Sequence, residues 1–308
     1  MGVAAMALLM ATSCESGDKD FGYDGETAVY FSNSGSDRIL ELGEDQEADL
    51  TDDNNHIVNI KAVAAGGYGN SNDVKVDYVI DPALCEGYNI NGAAIDVMPS
   101  NYYEVQNPNQ FTIASGQLLG GVKVKLTDAF FEDAKSWESG YVIPVKLTKA
   151  EGVSKILSGK DMTFYRVKFV NPWTATYLRK GKDKINGKET HRCFQYVEKA
   201  ELIKVVTKGL NKSQVTVAFK DAAGKAHNVD LLLTFNGDDC TISSNTDGVE
   251  VSGSGKFVKK DQLMGEFKRN TLYLNYNVKS ADLGTIETTD TMVVRNRGIE
   301  FKTFVPKK

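Results

Sequence analysis

The sequence predicts an all-β chain built of two antiparallel units, on three observations. Apolar residues recur at every second position: Val74, Val76, Tyr78 and Ile80 alternate with Lys75 and Asp77. The same period runs through Val122 to Leu126, Gln214 to Phe219 and Leu272 to Val278. Such alternation turns one face to a core and the other to water, the habit of antiparallel sandwiches and barrels. Turn signals separate the runs: Gly66-Gly67, Asn91-Gly92, Asn186-Gly187, Asn236-Gly237 and Asp247-Gly248. Asn-Gly and Asp-Gly suit tight hairpins, because both central positions of a type I′ turn need positive φ. Helical patterning is weak throughout.

The elements follow in chain order. Val3 to Met10 is a short apolar run that passes through Ala11, Thr12 and Ser13 to Cys14. It is too short to span a bilayer as a helix and fits the hydrophobic part of a secretory signal ending on small residues. Residues 1–13 are therefore read as a signal peptide. Residues 14–26, polar and rich in Gly and Asp, are read as a flexible tether. A first series of strands covers residues 27–170. Within it Asp128 to Ser136 is expected to form a short helical turn with Phe130 and Phe131 inward, and Ala150 to Ser158 another. The run Met162 to Val170 ends at Asn171-Pro172-Trp173, where Pro172 breaks pairing and holds Asn171 extended. A second series of strands then fills residues 171–308.

Composition excludes several classes. The formal net charge is −5, with 36 Lys and Arg against 41 Asp and Glu. That balance lacks the basic stripe of a nucleic-acid surface. Beyond the leader no stretch approaches the ~18 consecutive apolar residues of a transmembrane helix. The four cysteines, Cys14, Cys85, Cys193 and Cys240, contain no Cys-x-x-Cys. A disulfide framework is not indicated; Cys193 and Cys240 either bridge or, as favoured here, serve with Cys85 as buried thiols. His56, His191 and His227 have no metal-ligand spacing, so no metal or cofactor is expected. Asp49 to Asn55 is dense in Asp and Asn but lacks the glycine and terminal glutamate of a calcium loop, and reads as a solvated turn. No Gly-x-Ser-x-Gly elbow and no phosphate-binding P-loop occurs. A glycosidase needs two carboxylates about 5–10 Å apart, and with this many acids the sequence singles out no pair. No catalytic residue is assigned.

Residues Ala28-Val29-Tyr30-Phe31-Ser32, Val76 to Asp81, Met98-Pro99-Ser100-Asn101-Tyr102-Tyr103, Phe111 to Gly116, Val122 to Leu126 and Tyr141 to Leu147 recur in order and spacing over about 120 residues. In this the first unit resembles the immunoglobulin-like N-terminal domain of Bacteroidetes surface lipoproteins, a type found in endoglycosidases and glycan-binding proteins of polysaccharide-utilisation loci. Met98 stands where that family often has Leu. The second unit, by Asn171-Pro172-Trp173, Gly253 to Val258, Leu272 to Tyr276 and Asp290 to Gly298, resembles a β-barrel-like module found behind that domain, one with no catalytic residues to carry over. The resemblance implies an immunoglobulin-like β-sandwich over 27–170, followed by a second antiparallel β-barrel or sandwich.

Cys14, after its apolar run and small residues, resembles the lipobox cysteine of a bacterial lipoprotein, which becomes the lipidated N-terminus. The first eight residues carry no Lys or Arg, which a start codon set too far downstream would explain. The acids Glu15, Asp18 and Asp20 resemble the signal that sends Bacteroidetes lipoproteins to the outer face of the outer membrane, and equally fit a plain linker. Asp290-Thr291-Met292 is similar to the Bacteroidetes O-glycosylation pattern.

The expected role is that of a non-catalytic outer-membrane lipoprotein at the cell surface. It would be anchored through lipid on Cys14, bind or assist binding of a glycan, and work beside an outer-membrane transporter in nutrient uptake. The alternatives are an all-β glycan hydrolase and a structural or adhesive surface protein. Sugar rings stack on aromatic planes and bond to amide and charged groups, so Trp173, Tyr177 and Arg179 at the start of the second unit, Tyr68 in the Gly66 loop and Trp137 are the candidate ligand contacts.

Overall fold

A computed structural model describes residues 25–45, 48–66, 70–185, 187–192 and 199–308. Cys14, the tether up to Asp24, Tyr68 and Cys193 lie outside the described residues. The chain is all-β, in two units.

The first unit contains β1 (Ala28–Tyr30), β2 (Gly35–Glu41), β3 (Ile57–Ala65), β4 (Val74–Ile80), β5 (Asn89–Ile90), β6 (Ala93–Ala94), β7 (Tyr103–Val105), β8 (Gln110–Ile113), β9 (Leu119–Leu126), β10 (Tyr141–Glu151), β11 (Lys155–Ile156) and β12 (Met162–Val170). One sheet runs β11-β1-β3-β9-β7, and the other contains β2-β12-β10-β4-β8. This is the strand order of an immunoglobulin sandwich, with β2 parallel to β12 from Gly35↔Phe164 to Glu41↔Val170. The alternation seen in sequence delivers the core: Val58, Ile60 and Ala62 from β3 and Val122 and Val124 from β9 meet Val74, Val76, Ile143, Val145 and Phe169 from the facing sheet.

Local signals act as their chemistry demands. Asn91 and Gly92 close the β5–β6 hairpin with φ of 53° and 83°, the pair of positive values a type I′ turn needs. The helix α1 (Thr51–Asn54) caps the acidic turn, and α2 (Asp128–Glu132) and α3 (Lys135–Glu138) follow β9. Phe130 and Phe131 are buried, where they pack edge-on against each other and Phe131 packs edge-on against Phe169. The expected second helical turn at Ala150 to Ser158 is not formed. Ala150 and Glu151 pair with Val76 and Lys75, and Lys155 and Ile156 pair in parallel with Ala28 and Val29. Sheet hydrogen bonds at a long sequence separation override a weak local preference.

The second unit contains β13 (Ala175–Ile185), β14 (Lys188–Arg192), β15 (Glu201–Gly209), β16 (Lys212–Lys220), β17 (Ala226–Asn236), β18 (Asp239–Ser244), β19 (Val249–Met264), β20 (Phe267–Ser280) and β21 (Gly284–Asn296). Each strand pairs with the next in order from β15 to β21, and β13 pairs with both β15 and β21. The result is a closed barrel of eight strands, with β14 folded back on the far end of β13. Closure leaves no edge along the wall. Val215, Val217, Leu231, Leu233, Leu272, Leu274 and Val278 fill the interior, as side chains do in a barrel of this strand number. A carrier barrel with an open apolar interior is therefore not what this unit forms.

The two units are stitched at three places. Asn171 is fully buried; its Nδ2 lies 2.8–3.0 Å from Lys212 O, Gly209 O and Ser213 Oγ, which pegs it into the β15–β16 hairpin. Arg297 donates from Nη1 to Leu42 O and from Nη2 to Asn171 O, both at 2.8 Å. Its Nε sits 2.9 Å from Glu41 Oε1 while directing its N–H at Thr174 O. Burial pushes the Glu41 carboxyl up, against the pull of Arg297. Finally, the chain returns: β22 (Lys302–Thr303) pairs antiparallel with Ser36 and Asp37 of β2, and Lys307 bonds to Asn89. Residues beyond Gly298 thus pair with the sandwich, where the sequence predicts a single second unit over 171–308.

Candidate functional site

A groove of about 620 Å³ lies on the outer wall of the barrel. Its floor follows directly from register. Across β17, β18, β19 and β20, Asn236 faces Asp239, Asp239 faces Lys256, and Lys256 faces Tyr273. Two residues along, Thr234 faces Thr241, Thr241 faces Ser254, and Ser254 faces Asn275. Alternation puts all eight on the outer face, in two parallel rows four strands wide, or about 14 Å across at the usual strand spacing.

The wall is concave there because of Gly253 and Gly255 in β19. Both point inward. A Cβ on Gly255 would come within 2.5 Å of Leu274 Cδ2 and 2.8 Å of Cys240 Sγ, and one on Gly253 within 2.4 Å of Tyr276 Cβ. With no side chain to hold it out, β19 presses into the barrel, as glycine permits where backbones approach closely. Ser254 and Lys256, between and after these glycines, form the groove floor.

The chemistry of the lining is that of a neutral polar ligand. Among the described residues, the side chains of Thr234, Asn236, Thr241, Ser254 and Asn275 have no side-chain hydrogen bond, while Lys256 and Asp239 stand 3.9 Å apart in the open. Each amide offers two donors and an acceptor, and each hydroxyl one donor and two lone pairs. Tyr273 supplies the ring. Gln262 Nε2 donates to its hydroxyl at 2.9 Å and the hydroxyl donates to Asp261 Oδ2, so the phenol is pinned. Burial and then the Asp261 hydrogen bond push its pKa up, so the ring stays neutral at physiological pH.

The residues singled out in sequence are elsewhere. Trp173, 8 % exposed, stacks on Phe235 at 3.7 Å with planes 6° apart, as part of the barrel core. Tyr177 is fully buried and donates to Trp173 O at 2.7 Å. Arg179 is 1 % exposed. These three therefore present no face to a ligand and are reassigned to packing. Trp137 is half-buried and packs edge-on against Phe169; Tyr68 falls outside the described residues. Tyr273 and Asn275 are in plain view in the alternating run 272–278, as two of its outward members.

Arg179 instead anchors an ionic cluster inside the barrel. Its Nη2 lies 3.0 Å from Asp290 Oδ2 and its Nη1 3.0 Å from Glu201 Oε2. Arg192 reaches Asp290 and Asp183, Tyr276 donates to Asp290 Oδ2 at 2.9 Å, and Thr288 donates to Asp183 at 2.8 Å. Burial opposes the charge on Arg179, but Asp290 and its neighbours outweigh it and hold the guanidinium above its ordinary pKa. Asp290 is thus wholly engaged inside the wall, and Thr291 is half-buried in β21, so the Asp290-Thr291-Met292 pattern is a piece of barrel strand. The acidic turn is likewise occupied: Asp49 accepts from Thr51, Asp52 from Asn59 and Asp53 from Glu41 N, while Arg38 pairs with Asp53. Cys85 and Cys240 are free and buried. Among the described residues no acid, His and Cys cluster suits a metal ion, and no helix is long and apolar enough to cross a membrane.

An immunoglobulin-like sandwich joined to a closed, filled barrel with a polar outer groove defines the class: a two-domain all-β protein. A crystal structure of a Bacteroides ovatus protein of unknown function is 35 % identical, aligns over 92 % of this chain and 99 % of its own, and superposes with a TM-score of 0.84. The chain belongs to that protein's family. A family model for a domain of unknown function (DUF5627) matches residues 172–298, and a model described as an N-terminal domain matches residues 23–154. A multidomain Bacteroides ovatus protein including DUF1735 is 14 % identical over 87 % of this chain and 93 % of its own, with a TM-score of 0.46. No functionally curated protein matches.

Proposed function

We propose that the protein is a cell-surface glycan-binding lipoprotein whose barrel groove holds a neutral oligosaccharide. One observation carries the reading: five unengaged amides and hydroxyls share two register-matched rows with the pinned ring of Tyr273, over a wall bent inward at Gly253 and Gly255. A sugar offers the complement, hydroxyls for the rows and an apolar C–H face for the ring. The width of the rows matches two or three sugar units. The role is binding rather than hydrolysis, because the groove brings one carboxylate, Asp239, to its lining, and a glycosidase needs two.

The rest of the reading rests on sequence resemblance and on relatives from Bacteroides. Lipid on Cys14 anchors the chain at the outer face of the outer membrane, the sandwich holds the barrel outward, and an outer-membrane transporter takes the ligand onward. Metabolic labelling with a palmitate analogue tests the anchor: wild type takes up label and Cys14→Ala does not. For the groove, Asn275→Ala and Lys256→Ala weaken retardation in polysaccharide gels about three- to tenfold each, equal to about 0.7–1.4 kcal/mol per lost hydrogen bond. Retention of full binding by both variants would move the site elsewhere.

A further inference from the structure

We infer that the sandwich carries a second sugar subsite, lined by Phe301 of the returning C-terminal segment; this rests on the glycan-binding reading above. Phe301 leaves the barrel just before β22 and is 62 % exposed. It lines a cleft of about 420 Å³ on the first unit, within the range of small-ligand pockets, about 300–1,000 Å³. Most of the remaining lining is polar. Asn59 and Lys61 project from β3, Ser32 and Asn33 from the β1–β2 connection, and Asp52 from α1. Among the described residues Lys61 has no ion pair and the Asn33 amide no hydrogen bond. Asn59 Nδ2 donates to Asp52 Oδ2 at 2.7 Å, which fixes an amide carbonyl and a carboxylate oxygen as adjacent acceptors. The Arg38–Asp53 ion pair and Tyr165 close the inner end.

A solvent-facing aromatic ring beside fixed donors and acceptors suits a sugar as the barrel groove does, and the three carboxylates of the lining are already engaged, Asp49 by Thr51, Asp52 by Asn59 and Asp53 by Arg38. A protein partner fits less well, because one exposed ring in a polar cleft offers far less apolar area than a stable interface of about 1,200–2,000 Å² requires. The C-terminal return then has a ligand role besides joining the units: it brings the ring of the cleft from the chain that builds the barrel. Two subsites on one chain bind a polymer more tightly than either binds alone, through effective concentration.

The test is affinity electrophoresis of the whole secreted chain in gels cast with mannan, xylan, mixed-linkage β-glucan or starch. Wild type, Phe301→Ala, Phe301→Tyr, Lys61→Ala and Tyr273→Ala are run side by side, with thermal midpoints as the folding control. On the polysaccharide that retards wild type, Phe301→Ala and Lys61→Ala each weaken retardation about three- to tenfold at an unchanged midpoint, and Phe301→Tyr restores it. Unchanged retardation of Phe301→Ala and Lys61→Ala, with Tyr273→Ala impaired, overturns the second subsite and leaves the groove standing. Wild type that migrates freely in every gel overturns both.

Discussion

Arg179, Tyr177 and Trp173 lie together in sequence beside a proline, and that proximity reads as an exposed recognition cluster. Ala175, Tyr177 and Arg179 share one face of β13, however, and Ala175 and Tyr177 are buried in the barrel core, so the same period of two carries Arg179 to the interior. What the sequence does not disclose is the partner that lets a guanidinium stay there, since Asp290 comes from the opposite end of the unit. Removing one member of a buried ion pair strands the other, at about 3–5 kcal/mol. Asp290→Asn is therefore expected to lower urea-unfolding stability by that order, whereas removing an exposed, solvent-screened pair such as Lys182–Glu189 leaves the urea midpoint close to that of wild type. The thiols give a second check. Burial raises Cys85 to about 11 and Cys240 to about 12, so neither reacts with iodoacetamide at pH 8 in the folded chain, and both do in urea, as peptide mass mapping will read. His56 packs on Phe131 with ring centroids 4.2 Å apart. Burial depresses its pKa, with Asp128 opposing and Lys125 assisting. The unfolded chain then binds the proton more readily, so stability is lost as pH falls below about 6.5 towards the depressed folded value. The thermal midpoint of the sandwich falls between pH 7 and pH 5. His56→Asn, which tolerates the positive φ of 61° at this position, flattens that slope.

At the scale of elements, strand existence was legible and strand partnership was not. Val215, Val217, Leu272 and Leu274 announce their faces by period two, and Asn91-Gly92 announces its hairpin. The short β11 and β22 do neither, because two residues carry no period and their pairing to β1 and β2 is decided by distant chain. That is why Ala150 to Ser158 read as a helical turn, and why residues 299–308 read as barrel. The return segment also contributes packing: Phe304 joins Cys85, Ile90, Val142 and Phe164 in a satellite cluster. Ending the chain at Gly298 should therefore destabilise the sandwich by on the order of 2 kcal/mol and leave the barrel transition in place. The two tryptophans report separately, Trp137 on the sandwich and Trp173 on the barrel, so single-tryptophan variants followed by fluorescence in urea resolve the two transitions. A loss shared equally by both would mean that the units unfold as one.

For the molecule as a whole, the sandwich, the barrel and the Asn171–Arg297 joint form a scaffold with polar recesses on its outer surfaces. The candidate groove was half legible: the outward members of 272–278 are visible in sequence, but the rows exist only through the register of four strands, and the concavity only through where Gly253 and Gly255 fall in the barrel wall. The central claim is that Tyr273 and its two rows hold a neutral glycan without cleaving it. The most direct measurement is a glycan array probed with the whole chain and with Tyr273→Ala, followed by chromatography of the hits for products. The account predicts binding to neutral oligosaccharides of two or more units, a loss of about tenfold in Tyr273→Ala at an unchanged thermal midpoint, and intact ligand recovered from both proteins. Shortened products from the wild-type chain, or equal binding by Tyr273→Ala, would contradict it.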